Sequence, residues 1–312
     1  MKKAWPKLEY NEWRPTYETL HRWVQIVGKL KLCKSPWLNH SWGSTLLVNA
    51  RGLTTSAIPL GDRILTIDFD FVDHQLLFED SEGTNFVLLL QSETVASFFE
   101  RFKEALKIFD VTPTFYEGPN EVMDFIPFAE DTNHATYNPV HAHNFFQALV
   151  RVSNLLQEFR AEFIGKSSPV HFFWGSFDLA VTRFSGHTAP EHPGGVPHLP
   201  DLVAREAYSH EVMSCGFWPG NEMYPKAAFY AYAYPEPKGF AQFRMPKNAF
   251  YHQALHELIL DYDAVRAADD PEELVRDFIH SAYLAAADLG NWDRESLEHS
   301  RYLDEVRETY FT

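Results

Sequence analysis

The stretches HSWGSTLLVNARGLTT, residues 40–55, and HFFWGSFDLAVTRFSG, residues 171–186, follow one pattern. Each reads W-G-S, then an apolar run, then an arginine nine residues after the tryptophan: Trp42 to Arg51, and Trp174 to Arg183. Each also follows a helical stripe. Trp13, Tyr17, Leu20, Val24 and Val27 fall on one face of a helix over 11–30. Phe145, Leu149, Val152, Leu156, Phe159 and Phe163 do the same over 140–163. A Gly-Lys pair and a proline follow both helices, Gly28-Lys29 with Pro36 and Gly165-Lys166 with Pro169. Strand-like runs come next, at 64–74 and 85–90 in the first half and at 205–214 and 227–234 in the second. A helix capped by Ser92 closes the first unit, and a helix over 249–260 closes the second. This order predicts an α+β fold of two duplicated α-β-β-β-α units with mainly antiparallel sheet. The expected divisions are a first repeat at 1–116, a linker at 117–139, a second repeat at 140–265 and a C-terminal helical extension at 266–312, with helices at 270–289 and 292–309.

Composition narrows the function. The chain is 45% hydrophobic and 15% aromatic, enough for a substantial core. Its formal net charge of −16 repels phosphate backbones and anionic headgroups, which argues against nucleic acid and membrane partners. Cys33 and Cys215 are too few for a disulfide framework or a cysteine metal knuckle. No apolar run approaches the roughly 20 residues of a spanning helix. The reading is a cytoplasmic protein with a small-molecule ligand or substrate. SGHTAPEHPGGVPHLPD, 185–201, is long and rich in Pro and Gly and reads as a lid or binding loop.

FIGKSSPVHFFWGSFDLAVTRFSG, REAYSHEVMSCGFWPG and FYAYAYPEP resemble hallmark stretches of a bacterial domain-of-unknown-function family, number 5996. The resemblance covers nearly the whole chain. It implies a family and assigns no activity, cofactor or functional residue.

Strand parity sorts the polar residues. In the strand-like run 205–211, Glu206, Tyr208 and His210 share a face. Asp70 and His74 repeat the acid-then-histidine spacing in the first half. His171, on the W-G-S strand, can supply a third group. The set His171, Glu206 and His210 matches the donors of a divalent zinc or iron site, with His210 as metal ligand or general base and the other two as its partners. Arg183 would anchor a substrate carboxylate or phosphate, and Asp178, Trp174, Tyr208 and Trp218 would line the ligand. The function read from this set is an enzyme acting on a small organic molecule. The alternative is a small-molecule-binding or sensor protein that uses the same groups without catalysis. A structural reading is also open, in which Asp178 bonds Arg183 and the histidines bridge strands. IGKSS at 164–168 lacks the first glycine and the strand-to-helix context of a phosphate loop. His252 and His256 read as a solvated helix face, His187, His192 and His198 as lid polar groups, and Cys215 as a structural thiol.

Overall fold

A computed structural model describes residues 4–299. Helix α1 (Tyr10–Lys34) runs through the middle of the molecule and is buried almost continuously from Thr19 to Lys31. Sheet 1 follows, with strands β1 (Leu47–Val48), β2 (Gly52–Thr54), β3 (Ile58–Leu60), β4 (Arg63–Asp70), β5 (Gln75–Asp80) and β6 (Asn85–Leu89). Its order is β1-β2-β4-β5-β6, with β3 also paired to β4, and every pairing is antiparallel. Helix α2 (Val95–Lys107) packs on this sheet through Phe98, Phe99 and Phe102. Its N-cap is Thr94, whose hydroxyl accepts from the Ser97 amide at 3.0 Å. The expected cap, Ser92, instead donates to the Tyr137 carbonyl.

Asn138 and Pro139 start α3 (Pro139–Ala161), with the asparagine side chain accepting from the first-turn amides. Sheet 2 then comprises β7 (His171–Phe173), β8 (Asp178–Thr188), β9 (His210–Trp218), β10 (Ala228–Tyr234), β11 (Ala249–His252) and β12 (Glu257–Asp261). Its order is β7-β8-β9-β10-β12-β11, again antiparallel throughout. A short helix, α4 (Asp201–Ala207), precedes β9, and α5 (Tyr262–Arg266), α6 (Pro271–Leu289) and α7 (Arg294–Leu297) follow the sheet. The two sheets meet edge to edge at one residue pair. Leu46 and Phe172 exchange backbone hydrogen bonds of 2.9 and 2.7 Å. Above that seam α1 packs on α3, with Trp13 stacked on Phe145 at 5.1 Å. One continuous apolar core runs through both halves. Among the described residues no helix is long and apolar enough to cross a membrane.

The α+β class and the antiparallel sheets are as expected. Several details are not. Trp42 lies in a 3₁₀ turn (Asn39–Ser44) before β1, whereas Trp174 lies in the turn between β7 and β8. Arg51 is exposed in a hairpin turn, and Arg183 is buried in mid-strand. The W-G-S stretches therefore do not occupy equivalent positions, and the strands added to each half differ. Residues 249–260 form the β11–β12 hairpin rather than a helix. Pairing of Leu258 and Leu260 beside Ala231 and Phe229 buries them in the main core, which outweighs the helical spacing of Leu255, Leu258 and Ile259. Residues 205–211 are not one strand, because α4 ends at Ala207 and β9 begins at His210. The expected helix at 270–289 is α6; most of the one at 292–309 lies outside the described residues.

Candidate functional site

Sheet 2 has two unlike faces. Leu179, Val181, Met213, Cys215, Phe217, Phe229, Ala231, Leu258 and Leu260 belong to the main core beneath α3 and α6. The other face takes the alternate residues. Residues paired directly across an antiparallel sheet share a face, so His171, Ala180, Gly216, Tyr230 and Ile259 form one row. Thr182, Ser214 and Tyr232 form the next, with Glu257 beside them, and Asp178 lies two residues before Ala180. The residues of β8 and β9 here are small, which leaves a trough into which the β10 tyrosines lean.

Gly216 makes that possible. A Cβ there would stand 2.3 Å from the Leu179 carbonyl and 2.7 Å from the Tyr230 hydroxyl. Across this glycine Tyr230 donates a hydrogen bond to Asp178, which also accepts one from Ser176. Tyr232 stacks on Tyr230 at 6.2 Å and 12°, and its hydroxyl bonds that of Tyr208 at 2.8 Å. His192 from the long loop stacks on Tyr208 at 4.6 Å. Trp218 sits beside Tyr230 at 6.0 Å.

Two segments cover one end of the trough. The Glu121 amide donates to the Pro197 carbonyl at 3.0 Å, and the Asn120 side chain donates to the His198 carbonyl. Asn120 is in turn held by Gln25 and Lys29 of α1. The carboxyl of Glu121 is laid over Gly175, where a Cβ would meet its Oε1 at 2.0 Å. Linker and loop are thus hydrogen-bonded to each other, and the linker to α1.

Two carboxyls, Glu121 beside the loop and Glu257 on β12, each lie near enough to Asp178 to feel its charge. Burial raises the proton affinity of Glu121, and the negative charge of Asp178 adds to it, giving about 7 against the opposing pull of Lys29. Burial and then Asp178 raise Glu257 to about 8. Burial also raises Asp178 itself, opposed by the hydrogen bonds from Ser176 and Tyr230. Among the described residues neither the Glu121 nor the Glu257 carboxyl has a hydrogen-bond or ion-pair partner. Lys29, buried with its ammonium 5.5 Å from the rings of Tyr116 and Trp174, is lowered to about 8 by desolvation. Burial pushes Tyr208 up to about 12, and Tyr230 and Tyr232 well above the usual phenol range. Two small hollows elsewhere on the surface, one beside Trp37 and one beside Tyr262, border none of these carboxyls. The trough is occupied by its own tyrosine rings.

Asp178, Tyr208 and Trp218, expected to line a ligand, lie on or beside this face through their contacts with Tyr230 and Tyr232, and Trp174 lies in the turn that precedes Asp178. The proposed His171, Glu206 and His210 set does not assemble. His171 is fully buried on β7, pushed down to about 3 by desolvation. Glu206 is on α4, where its carboxylate accepts from the Trp37 indole at 2.8 Å. His210 opens β9 and contacts the Ser209 hydroxyl at 3.1 Å. The strand parity that joined Glu206 to His210 fails because a helix end intervenes. Among the described residues no three His, Cys, Asp or Glu side chains converge to hold a metal ion. Asp70 and His74 are also separated in role, since Asp70 caps the β4–β5 turn and bonds Arg51 at 2.6 Å while His74 bonds the Tyr137 hydroxyl. Arg183 points to the opposite face of the sheet, among the rings of Phe159, Phe163 and Tyr283. Cys215 is buried in the core, its thiol pushed up to about 12 by desolvation. Lys29, Glu121, Tyr230, Tyr232 and Glu257 were not singled out as site residues. The alternation AFYAYAY was a usable signal, because it sets Tyr230, Tyr232 and Tyr234 on one face of β10.

These features define an α+β protein with two antiparallel sheets and a face of tyrosines and carboxyls on the second. Within that class the chain belongs to a family of unknown function, DUF5996, which matches residues 5–299. Neither the curated proteins nor the solved structures searched contain a match to it.

Proposed function

We propose that the protein is an enzyme acting on a small organic molecule held over the outer face of sheet 2. The observation that carries this reading is that Glu121 and Glu257, two carboxyls without a hydrogen-bond or ion-pair partner among the described residues, are both coupled to the buried Asp178 and raised by burial to about 7 and about 8. Carboxyl groups whose proton affinities are raised to the working pH can both give and take a proton, as general acid–base work requires. In this reading Glu257 and Glu121 exchange protons with the substrate. Asp178 and Tyr230 form the hydrogen-bonded pair that orients it, and the lid of residues 117–121 and 189–200 moves to admit it. A ligand-holding protein without catalysis is the second reading, favoured by the pairing of the Tyr208 and Tyr232 hydroxyls with each other.

The test needs no substrate. A water-soluble carbodiimide with a primary amine acceptor modifies protonated carboxyls that it can reach. At pH 7, mass spectrometry of the folded protein is expected to find Glu121 and Glu257 modified faster than exposed carboxyls such as Glu100 and Glu104. Modification of the exposed groups with Glu121 and Glu257 untouched would show sealed structural acids and end the proposal.

A further inference from the structure

We infer that Lys166 is an amine nucleophile with His40 as its base, a second site that condenses with a small aliphatic aldehyde to form an imine. It does not rest on the carboxyls above. Phe184, which borders it, lies six residues along β8 from Asp178, roughly 20 Å in an extended strand. The stretches HSWGS and IGKSS meet here. The Lys166 side-chain nitrogen lies 2.8 Å from Nε2 of His40, and Nδ1 of His40 lies 2.8 Å from the Ala207 carbonyl at the end of α4. A carbonyl can only accept, so Nδ1 carries the ring proton and Nε2 offers its lone pair to the lysine. Nucleophile, base and orienting group thus stand in one hydrogen-bonded line, the arrangement that activates a side-chain nucleophile. His40 is buried, and its ring is set between Trp42 at 4.9 Å and Phe184 at 4.8 Å. The backbone that aims it is left-handed at two successive residues, with φ of 58° at His40 and 59° at Ser41, which side chains adopt only at a cost.

Lys166 is exposed, so a small solute reaches its amine. Among the described residues it has no carboxylate partner. Its nitrogen stands 4.8 Å from the centre of the Phe184 ring and 5.6 Å from that of Trp42, apolar cover for a short alkyl chain. Desolvation against these rings lowers the proton affinity of Lys166, which raises the share of free amine. Desolvation also lowers that of His40, opposed by the Ala207 carbonyl, and keeps the ring neutral. Glu206 and His210 are the other titratable groups whose charge reaches it, and the Glu206 carboxylate is held by the Trp37 indole. In the reaction the amine nitrogen attacks the carbonyl carbon, a C–N bond forms and the C=O π pair moves to oxygen. The proton leaving nitrogen passes to His40 Nε2 and on to that oxygen. The second N–H proton leaves by the same imidazole as the hydroxyl departs as water. One amine and one aldehyde give one imine and one water, with no oxidant or reductant.

The probe is propanal with sodium cyanoborohydride, which reduces an imine to a stable propylamine that peptide mass spectrometry locates. At pH 7, Lys166 of the folded protein is expected to be propylated at least about tenfold faster than the exposed Lys238 and Lys247. Followed from pH 6 to pH 10, its rate should rise at a lower pH than theirs. His40→Asn keeps a residue that tolerates the left-handed backbone and removes the base. In that variant Lys166 should react at the rate of the exposed lysines, with Lys238 and Lys247 unchanged. Lys166 reacting no faster than Lys238 and Lys247 in the parent protein overturns the inference, and that comparison decides by itself if the variant does not fold. A folded His40→Asn protein that keeps the full preference for Lys166 overturns it as well.

Discussion

Glu257→Gln is expected to stabilise the protein at pH 9 by about 2 kcal/mol and to change nothing at pH 4. An exposed glutamate titrates near 4.5, whereas Glu257 is raised to about 8 by burial and by Asp178. Between those values the folded chain holds a proton that the unfolded chain has released. Stability therefore falls as pH rises from about 5, and levels off once the folded carboxyl has also ionised above about 8. At face value the shift is worth roughly 5 kcal/mol. The carboxyl is half-buried, and solvent reaching it screens part of this, which is why the expected gain is smaller. Glutamine keeps the shape and removes the charge. Urea unfolding of both proteins at pH 4, 7 and 9 checks the account. A variant less stable than the parent at pH 9, or a difference that does not grow with pH, would contradict it.

Arg183→Ala is expected to cost about 3–5 kcal/mol, and Arg183→Met much less. The guanidinium carbon lies 3.4 Å from the centre of the Phe159 ring and 4.5 and 4.9 Å from those of Tyr283 and Phe163. It donates to the Phe159 carbonyl, and Glu162 is 3.8 Å away. Desolvation lowers its proton affinity to about 10, so it remains charged at neutral pH. Alanine leaves a cavity among three rings, whereas methionine refills the space with a group suited to aromatic neighbours. Because Arg183 lies on the core face, neither variant should change carbodiimide modification of Glu257. Urea midpoints for the two variants provide the check. An undamaged Arg183→Ala with altered labelling would place the arginine back in the site.

The α+β class and the main helices could be read from apolar spacing because their burial follows it. Val24, Val27, Phe145 and Phe159 are buried where the helical stripes put them. Asp178 and Trp218 could be placed on the outer face of sheet 2 from strand parity, whereas Trp174 in a turn and Tyr208 at a helix end could not. The rest depended on tertiary pairing. Glu257 looked like part of a helix because its neighbours Leu255, Leu258 and Ile259 fit one turn; the free edge of β10 made it a strand residue beside Tyr232 instead. Glu121 lies in a segment with no periodicity, and its position follows from Gln25 and Lys29 gripping Asn120 next to it. The shared W-G-S tripeptide had no such constraint behind it. Trp174 is fixed by its indole bond to the Ser44 carbonyl at 2.8 Å and by contact with Gly28, and Trp42 by His40 and Phe184. Similar letters serve different packing.

The central claim is that Glu121 and Glu257 are protonatable near neutral pH within one site. Carbon-13 spectra of the glutamate side-chain carboxyls, followed from pH 3 to pH 10 and assigned with Glu121→Gln and Glu257→Gln, measure this directly. Two resonances should titrate far from the rest, near 7 for Glu121 and near 8 for Glu257, and each should vanish in its own variant. Midpoints near 4.5 for both residues would contradict the account.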